Sequence, residues 1–214
     1  MEKSYYRKVF IDKLSSLTTS QKYINNKRVI AKLDELLKTL KPNSIMSYIS
    51  LDKEVKIEQY LNKKRHRYNI FVPFMEGVSF KLVKYRLPLH VKKYSIKEPK
   101  NSIFRKVDID VAIVPVLGVD GSFRRVGFGK GMYDRFFEKF LKKDIKPLIV
   151  FIELVDCFVE DDFCQEHDIE ADLYITPKKI YKKRANINGN TIKYSSCRGN
   201  SRRFGRFFNI KKYS

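Results

Sequence analysis

Asp108-Ile-Asp-Val-Ala-Ile-Val-Pro-Val-Leu117 runs into Gly118-Val-Asp-Gly-Ser122 and then into Phe123-Arg-Arg-Val-Gly-Phe-Gly-Lys-Gly-Met-Tyr-Asp-Arg135. The first stretch is a nearly continuous apolar run, as expected of a central parallel strand covered on both faces. The second is a turn. The third places glycines at 127, 129 and 131, just ahead of Met132 to Lys142, which reads as a helix. Glycines at alternate positions leave backbone amides open to an anion. The helix that follows points the positive end of its dipole at the same place. Arg124, Arg125 and Lys130 add formal positive charge, and Asp134 in the first helical turn offers a hard oxygen to Mg²⁺. The G-x-G-x-G spacing matches neither a Walker loop nor the dinucleotide fingerprint, and glycines alone read equally well as a structural turn. Glycines, three cations and a carboxylate together at a strand-to-helix junction point to phosphate binding.

Upstream of this stretch, residues 3–17 read as a helix with Tyr6, Val9, Phe10, Leu14 and Leu17 on one face. Thr18-Thr-Ser20 breaks it and offers a cap for a second helix, about 21–40, with Ile24, Ile30, Leu33, Leu37 and Leu40 inward. Lys41-Pro-Asn43 is a stop. Strands are expected at 44–49, 68–74 and 79–85, a helix from Glu54 to Leu61, and a long loop over 86–106. Downstream, 147–154 and 171–176 read as further strands. Strands alternating with helices imply an α/β sandwich around a mostly parallel sheet. Residues 1–184 are expected to form one domain. From about residue 185 the pattern dissolves into Asn, Gly, Ser and Arg, as in a flexible basic tail.

Composition narrows the function classes. The chain has 214 residues, 43% apolar, with 16 Phe and 13 Tyr, enough for a packed core. No stretch approaches the roughly 20 apolar residues of a membrane span, and Met1 to Arg7 has no apolar run of the secretory kind. A cytoplasmic protein is expected, with no membrane partner. Cys157, Cys164 and Cys197 suggest no disulfide framework. Cys164-Gln-Glu-His167 supplies only two of the three or four ligands that zinc needs.

The net charge is +21, from 45 Lys and Arg against 24 acids. Residues 173–214 hold 12 of those cations and no acid, which leaves 33 cations against 24 acids, or +9, in the first 172. Such an excess attracts polyanions of several kinds. Ser201-Arg-Arg-Phe-Gly-Arg-Phe-Phe208 interleaves Arg with aromatics, a composition that suits single-stranded nucleic acid. An RNA-binding or ribosome-associated protein is therefore the rival reading. It is disfavoured, because a basic tail is more often a solvated end.

Asp110 to Arg135 resembles the signature of the 5-formyltetrahydrofolate cyclo-ligase (5,10-methenyltetrahydrofolate synthetase) family. That signature is an apolar strand ending in Pro, a turn with Asp and Gly, then Arg-Leu-Gly-x-Gly-x-Gly-Tyr-Tyr-Asp-Arg. Other landmarks follow in order: Lys3 and Arg7, Ser47 to Val55, Phe71-Val-Pro73, Ser95 to Pro99, and His167 to Thr176. Val126 stands in place of the family's Leu, and Met132 in place of the first of two aromatic residues.

The resemblance implies a three-layer, Rossmann-like α/β sandwich with ATP at the carboxyl ends of the strands. It also implies ATP- and Mg²⁺-dependent cyclisation of 5-formyltetrahydrofolate to 5,10-methenyltetrahydrofolate, polyglutamylated forms included. A related ATP-dependent enzyme with another substrate is the third reading. By the same carry-over Lys3, Arg7, Arg125, Gly127, Gly129, Lys130, Gly131 and Tyr133 bind ATP. Ile49, Glu54, Phe128 and Met132 contact the folate, Glu54 at the amino-pterin edge, and Asp134 and Asp172 hold Mg²⁺. The plainer alternatives are a solvated charged stripe for Lys3 and Arg7, a strand-end residue for Asp172 and a helix N-terminal acid for Glu54. A monomer or small homo-oligomer is expected.

Overall fold

The computed structural model describes residues 2–77, 79–91, 97–99, 108–140 and 146–183. The tail expected beyond residue 185, with Cys197, lies outside them. Two helices open the chain, α1 (Lys3–Ser15) and α2 (Thr19–Leu40). The junction between them forms as its residues suggest. Thr18 accepts a hydrogen bond from Gln21 N–H while the Gln21 side chain accepts from Thr18 N–H, a capping box. Lys41, in the left-handed region at φ 51°, ends α2 just before Pro42.

After α2 come β1 (Ser44–Met46), α3 (Glu58–Lys64), β2 (Asn69–Glu76), β3 (Ser79–Lys84), β4 (His90–Val91) and β5 (Lys97–Glu98). Then follow β6 (Val111–Pro115), β7 (Gly118–Val119), β8 (Arg125–Val126), α4 (Met132–Phe140), β9 (Leu148–Ile152), β10 (Leu173–Ile175) and β11 (Ile180–Lys182). Among the described residues seven strands form the main sheet, in the order β11-β10-β9-β6-β1-β2-β3. The five inner strands run parallel; β3 and β11 close the edges antiparallel.

Alternation along the strands sorts the core into two layers. Ile45, Val111, Ile113, Val150, Ile152 and Ile175 face α1 and α2 through Phe10, Leu14, Leu33 and Leu37. Met46, Ala112, Val114, Ile149, Phe151 and Tyr174 share the opposite cluster with Phe137 of α4. Helices on both faces of a mostly parallel sheet make the expected three-layer α/β sandwich. Among the described residues no helix is long and apolar enough to cross a membrane.

Several local expectations change. Val9 and Ile24 are exposed, not inward: α1 buries Tyr6, Phe10 and Leu14, and α2 buries Val29, Leu33, Leu36, Leu37 and Leu40. The strand expected over 44–49 stops at Met46, and the helix expected from Glu54 starts at Glu58. Glu58 is held by Ser50, whose N–H and hydroxyl both donate to its carboxylate, and this contact seats the start of α3. The edge strand β11, the β4–β5 pair inside the expected long loop and the β7–β8 ribbon were not anticipated.

The topology decides where a ligand can sit. From β1 the chain moves outward to β2 and β3, then returns to the other side of β1 as β6. Between β1 and β6 the strand order reverses, and in open α/β sheets the crevice outside the carboxyl ends of such a pair is the usual ligand site. The segment leaving β1 is Ser47 to Glu54. The segment leaving β6 carries the glycine loop.

Candidate active site at the switch point

The glycine loop rests on a small ribbon. Gly118 pairs with Val126 and Val119 with Arg125. The intervening turn is held by Asp120, buried completely, whose carboxylate accepts from Arg124 N–H at 2.8 Å and Cys164 N–H at 3.0 Å. The ribbon is also zipped to a late segment: Arg125 N–H donates to Ile169 O at 3.0 Å and Ala171 N–H to Phe123 O at 2.9 Å. These bonds fix the backbone of Arg125. They bring residues 168–171 against the loop, a placement that no local pattern announces.

Arg125 is the centre of the site. Its side chain is 7% exposed, and Nη1 lies 3.5 Å from Asp134 Oδ2. The guanidinium carbon lies 4.9 Å from the centroid of the Tyr133 ring. A Cβ added to Gly127 would fall 2.3 Å from Arg125 Nη2, so the missing side chain is the space the guanidinium uses. Yet Arg125 Nε and Nη1 have no hydrogen-bond partner among the described residues. The contact with Asp134 is thus an ion pair without hydrogen-bond geometry. A buried donor left unmade costs about 1–3 kcal/mol, more when charged, so Arg125 is held here at a cost that the described residues do not offset.

Around Arg125 the structure gathers most of the residues that the sequence singled out. Arg7 Nε donates to Gly127 O at 2.9 Å, which ties α1 to the loop across 120 residues. Lys3 pairs with Asp168 at 2.5 Å. Gly129 and Gly131 take φ of 95° and 58°, values open to glycine and strained for other residues. Lys130 is exposed, and Phe128 presents an exposed ring at the tip of the loop. Tyr133 meets Phe80 edge-on at 5.2 Å, and Met132 packs in the same apolar cluster. Burial pushes the Tyr133 phenol well above its ordinary range, with Glu54 adding to the rise.

Glu54 comes from the β1 side. It is buried, and one oxygen accepts from Leu51 N–H at 2.9 Å. Burial raises its pKa from 4.5 to about 7, opposed by the Leu51 hydrogen bond and by the charge of Arg125. Ile49 is half-buried on the same segment. Because α3 starts only at Glu58, Glu54 is no helix N-terminal acid.

The raised pKa has a stability consequence. Between pH 4.5 and 7 the folded chain keeps a proton on Glu54 that the unfolded chain has lost. Stability from this group is therefore full below pH 4.5 and is lost as pH rises through 7. A shift of this size corresponds to about 3 kcal/mol. The difference in unfolding free energy between wild type and Glu54→Gln should change by roughly that amount across the window. Urea melts at a series of pH values check it; a pH-independent difference counts against a buried, proton-holding Glu54.

The two expected metal ligands part company. Asp134 Oδ1 accepts from Ile169 N–H at 3.3 Å, and its other oxygen faces Arg125. Asp172 instead sits at the amino-terminal edge of the sheet, where Oδ2 accepts from Ile149 N–H at 2.7 Å and its own N–H donates to Ile149 O. That is the strand-end role given above as the plainer alternative. Asp168 and Tyr48 were missed as site neighbours. Asp168 lies inside a landmark stretch, but only its pairing with Lys3 reveals it. Tyr48, fully buried with its hydroxyl donating to Val55 O at 2.7 Å, braces the Glu54 loop.

A family model described as the 5-formyltetrahydrofolate cyclo-ligase family matches residues 1–177. A Mycoplasma pneumoniae protein named 5-formyltetrahydrofolate cyclo-ligase is 25% identical over 176 residues, 82% of this chain and 98% of the relative. A Saccharomyces cerevisiae protein of the same name is 32% identical over 85 residues, 38% of this chain and 40% of the relative. The solution structure of an Aquifex aeolicus 5,10-methenyltetrahydrofolate synthetase superposes with a TM-score of 0.69 at 24% identity, covering 91% of this chain and 97% of that one. The M. pneumoniae 5,10-methenyltetrahydrofolate synthetase structure gives 0.62 at 20%, covering 83% and 99%. At these identities the two structures support the fold.

Proposed function

The chain belongs to the 5-formyltetrahydrofolate cyclo-ligase family, a family of enzymes, and we propose that it cyclises 5-formyltetrahydrofolate to 5,10-methenyltetrahydrofolate with conversion of ATP to ADP and phosphate. The observation that carries this reading is the buried guanidinium of Arg125, with two nitrogens lacking hydrogen-bond partners among the described residues, set under the glycine loop and beside the Asp134 carboxylate. A buried cation with donors to spare fits a polyphosphate.

The residues present fit both expected groups. The backbone of 127–131, Arg125, Lys130, Lys3 and Arg7 would hold the phosphates. Asp134 would hold Mg²⁺. Among the described residues no cluster of three or more His, Cys, Asp or Glu is assembled. One carboxylate suits Mg²⁺, which commonly takes one or two protein oxygens and completes its shell with phosphates and water. Bound MgATP supplies the phosphoryl group that turns the formyl oxygen into a leaving group.

The protein's own part is positioning and charge neutralisation. Glu54, when ionised, accepts from the pterin amino edge and orients the formyl group toward the loop. Arg125 and Lys130 neutralise oxygen charge as it moves. Phe128 and Met132 cover the reacting face and exclude water, with Ile49 beneath. The folate N10 then bonds to the formyl carbon and gives up its proton to the departing phosphate as the carbon–oxygen bond breaks. Asp172 has no part in this scheme, because its carboxylate is engaged at the amino-terminal end of β9 and β10, opposite the carboxyl ends where the loop lies.

Incubation with 5-formyltetrahydrofolate and MgATP should produce the absorbance of the methenyl product, and none without ATP. Absence of product from folded protein with both substrates intact would sink the reading.

A further inference from the structure

Resting on the reading above, we propose that Arg125 is an electrostatic gate on Asp134, so that the metal enters with the nucleotide and not before it. The guanidinium is held from the backbone side by the bond to Ile169 and packed under Gly127 and against Tyr133. It has little room to withdraw. Its Nη1 lies 3.5 Å from the carboxylate oxygen that a metal would use.

A divalent ion bound to Asp134 alone would therefore sit a few ångströms from a fixed positive charge in a site largely shielded from water. There the repulsion is severalfold stronger than in water. Polyphosphate reverses the balance. Its oxygens bring negative charge to the glycine loop beside the guanidinium and the metal, and offset the repulsion between them. The cation that excludes the bare metal thus becomes a partner of the complex. Metal and nucleotide then bind with positive coupling, each tightening the other by the same factor. Glu54 does not relieve the exclusion, since burial holds its carboxyl largely protonated below neutrality.

The test uses Mn²⁺ as the probe, read by electron paramagnetic resonance of free Mn²⁺, with and without a non-hydrolysable ATP analogue, each series set against a protein-free one so that chelation by the analogue itself is subtracted. Wild type should bind Mn²⁺ weakly alone and at least about tenfold more tightly with the analogue. Arg125→Met keeps the side chain's bulk and removes its charge. It should bind Mn²⁺ alone about tenfold more tightly than wild type and show little further gain with the analogue. Arg125→Lys, which keeps the charge, should behave like wild type and guards against a variant that fails to fold. Asp134→Asn should abolish Mn²⁺ binding in either background, leaving the free-ion signal at its protein-free height.

Arg125→Met that is folded by circular dichroism but no better than wild type at binding Mn²⁺ alone overturns the gate. Tight Mn²⁺ binding to nucleotide-free wild type does the same. Failure of the underlying reading looks different. In that case the analogue does not change Mn²⁺ binding in wild type, or Asp134→Asn leaves it intact, and no methenyl product forms.

Discussion

Asp134→Asn is expected to turn over at least about 10³-fold more slowly than wild type, a loss of ~4 kcal/mol in transition-state stabilisation. Asn is nearly isosteric and keeps an oxygen for the Ile169 N–H, so the first turn of α4 retains its anchor. What it loses is the charge that faces Arg125 at 3.5 Å and that would hold Mg²⁺. Phosphoryl transfer depends on metal and cations to neutralise oxygen charge, so removing the metal's carboxylate acts directly on the chemical step. Arg125 is left with a weaker partner; removing one member of a buried pair costs about 3–5 kcal/mol, and an amide that still faces the guanidinium keeps the loss toward the low end. A domain of ordinary stability absorbs that. Single-turnover measurements at saturating Mg²⁺ and ATP check the rate, and a thermal melt checks the fold. Turnover within tenfold of wild type would remove Asp134 from the metal site.

Gly121→Ala is expected to cost about 3 kcal/mol of stability or more, because a rigid backbone occupies the space. A Cβ at this position would lie 1.9 Å from Glu160 O and 2.8 Å from the Glu160 carbonyl carbon. The neighbouring bonds give no slack: Gly121 N–H donates to Asp161 O at 3.2 Å and Ser122 Oγ to Asp162 at 2.7 Å. The turn that carries β7 into β8 must therefore lift from the 160–162 segment. For a chain of this size the loss translates to a melting point lower by roughly 6–12 °C. The lifted ribbon also carries Arg125, so turnover should fall with stability. Gly77→Ala is the control. Its φ of 62° brings some strain, but nothing lies within 4 Å of an added Cβ, and about 1 kcal/mol is expected. A melting point for Gly121→Ala equal to that of Gly77→Ala would show that the turn is free to move.

Much of this protein was legible in its residues, and where the reading failed the failure has a pattern. Apolar runs at 108–117 and 147–154 announced β6 and β9 because a strand buried on both faces has no polar alternative. Thr18 and Pro42 bounded α2 because capping and proline chemistry are local. The faces of the helices were harder to read. Val9 and Ile24 lie at helical spacing from core residues, yet both are exposed. Periodicity gives the width of an apolar stripe but not which side of it meets the sheet. Glu54 was expected to open a helix and instead is buried at the site, with Glu58 starting α3.

The chain's residues alone determined the α/β layering, the glycine loop at a strand-to-helix junction, and the cations and acids available to it. Hydrophobic periodicity, caps and glycine conformations act over a few residues and can be read along the chain. Only the tertiary structure decided how those groups are partnered. It put Arg7 on Gly127 and Lys3 on Asp168, each across 120 residues or more. It sent Asp172 to the amino-terminal end of the strands and left Arg125 buried with two nitrogens unpartnered among the described residues. Such pairings depend on the order of strands in the sheet and on the reversal between β1 and β6. That reversal brings the Glu54 segment and the glycine loop to one crevice, which no local pattern encodes.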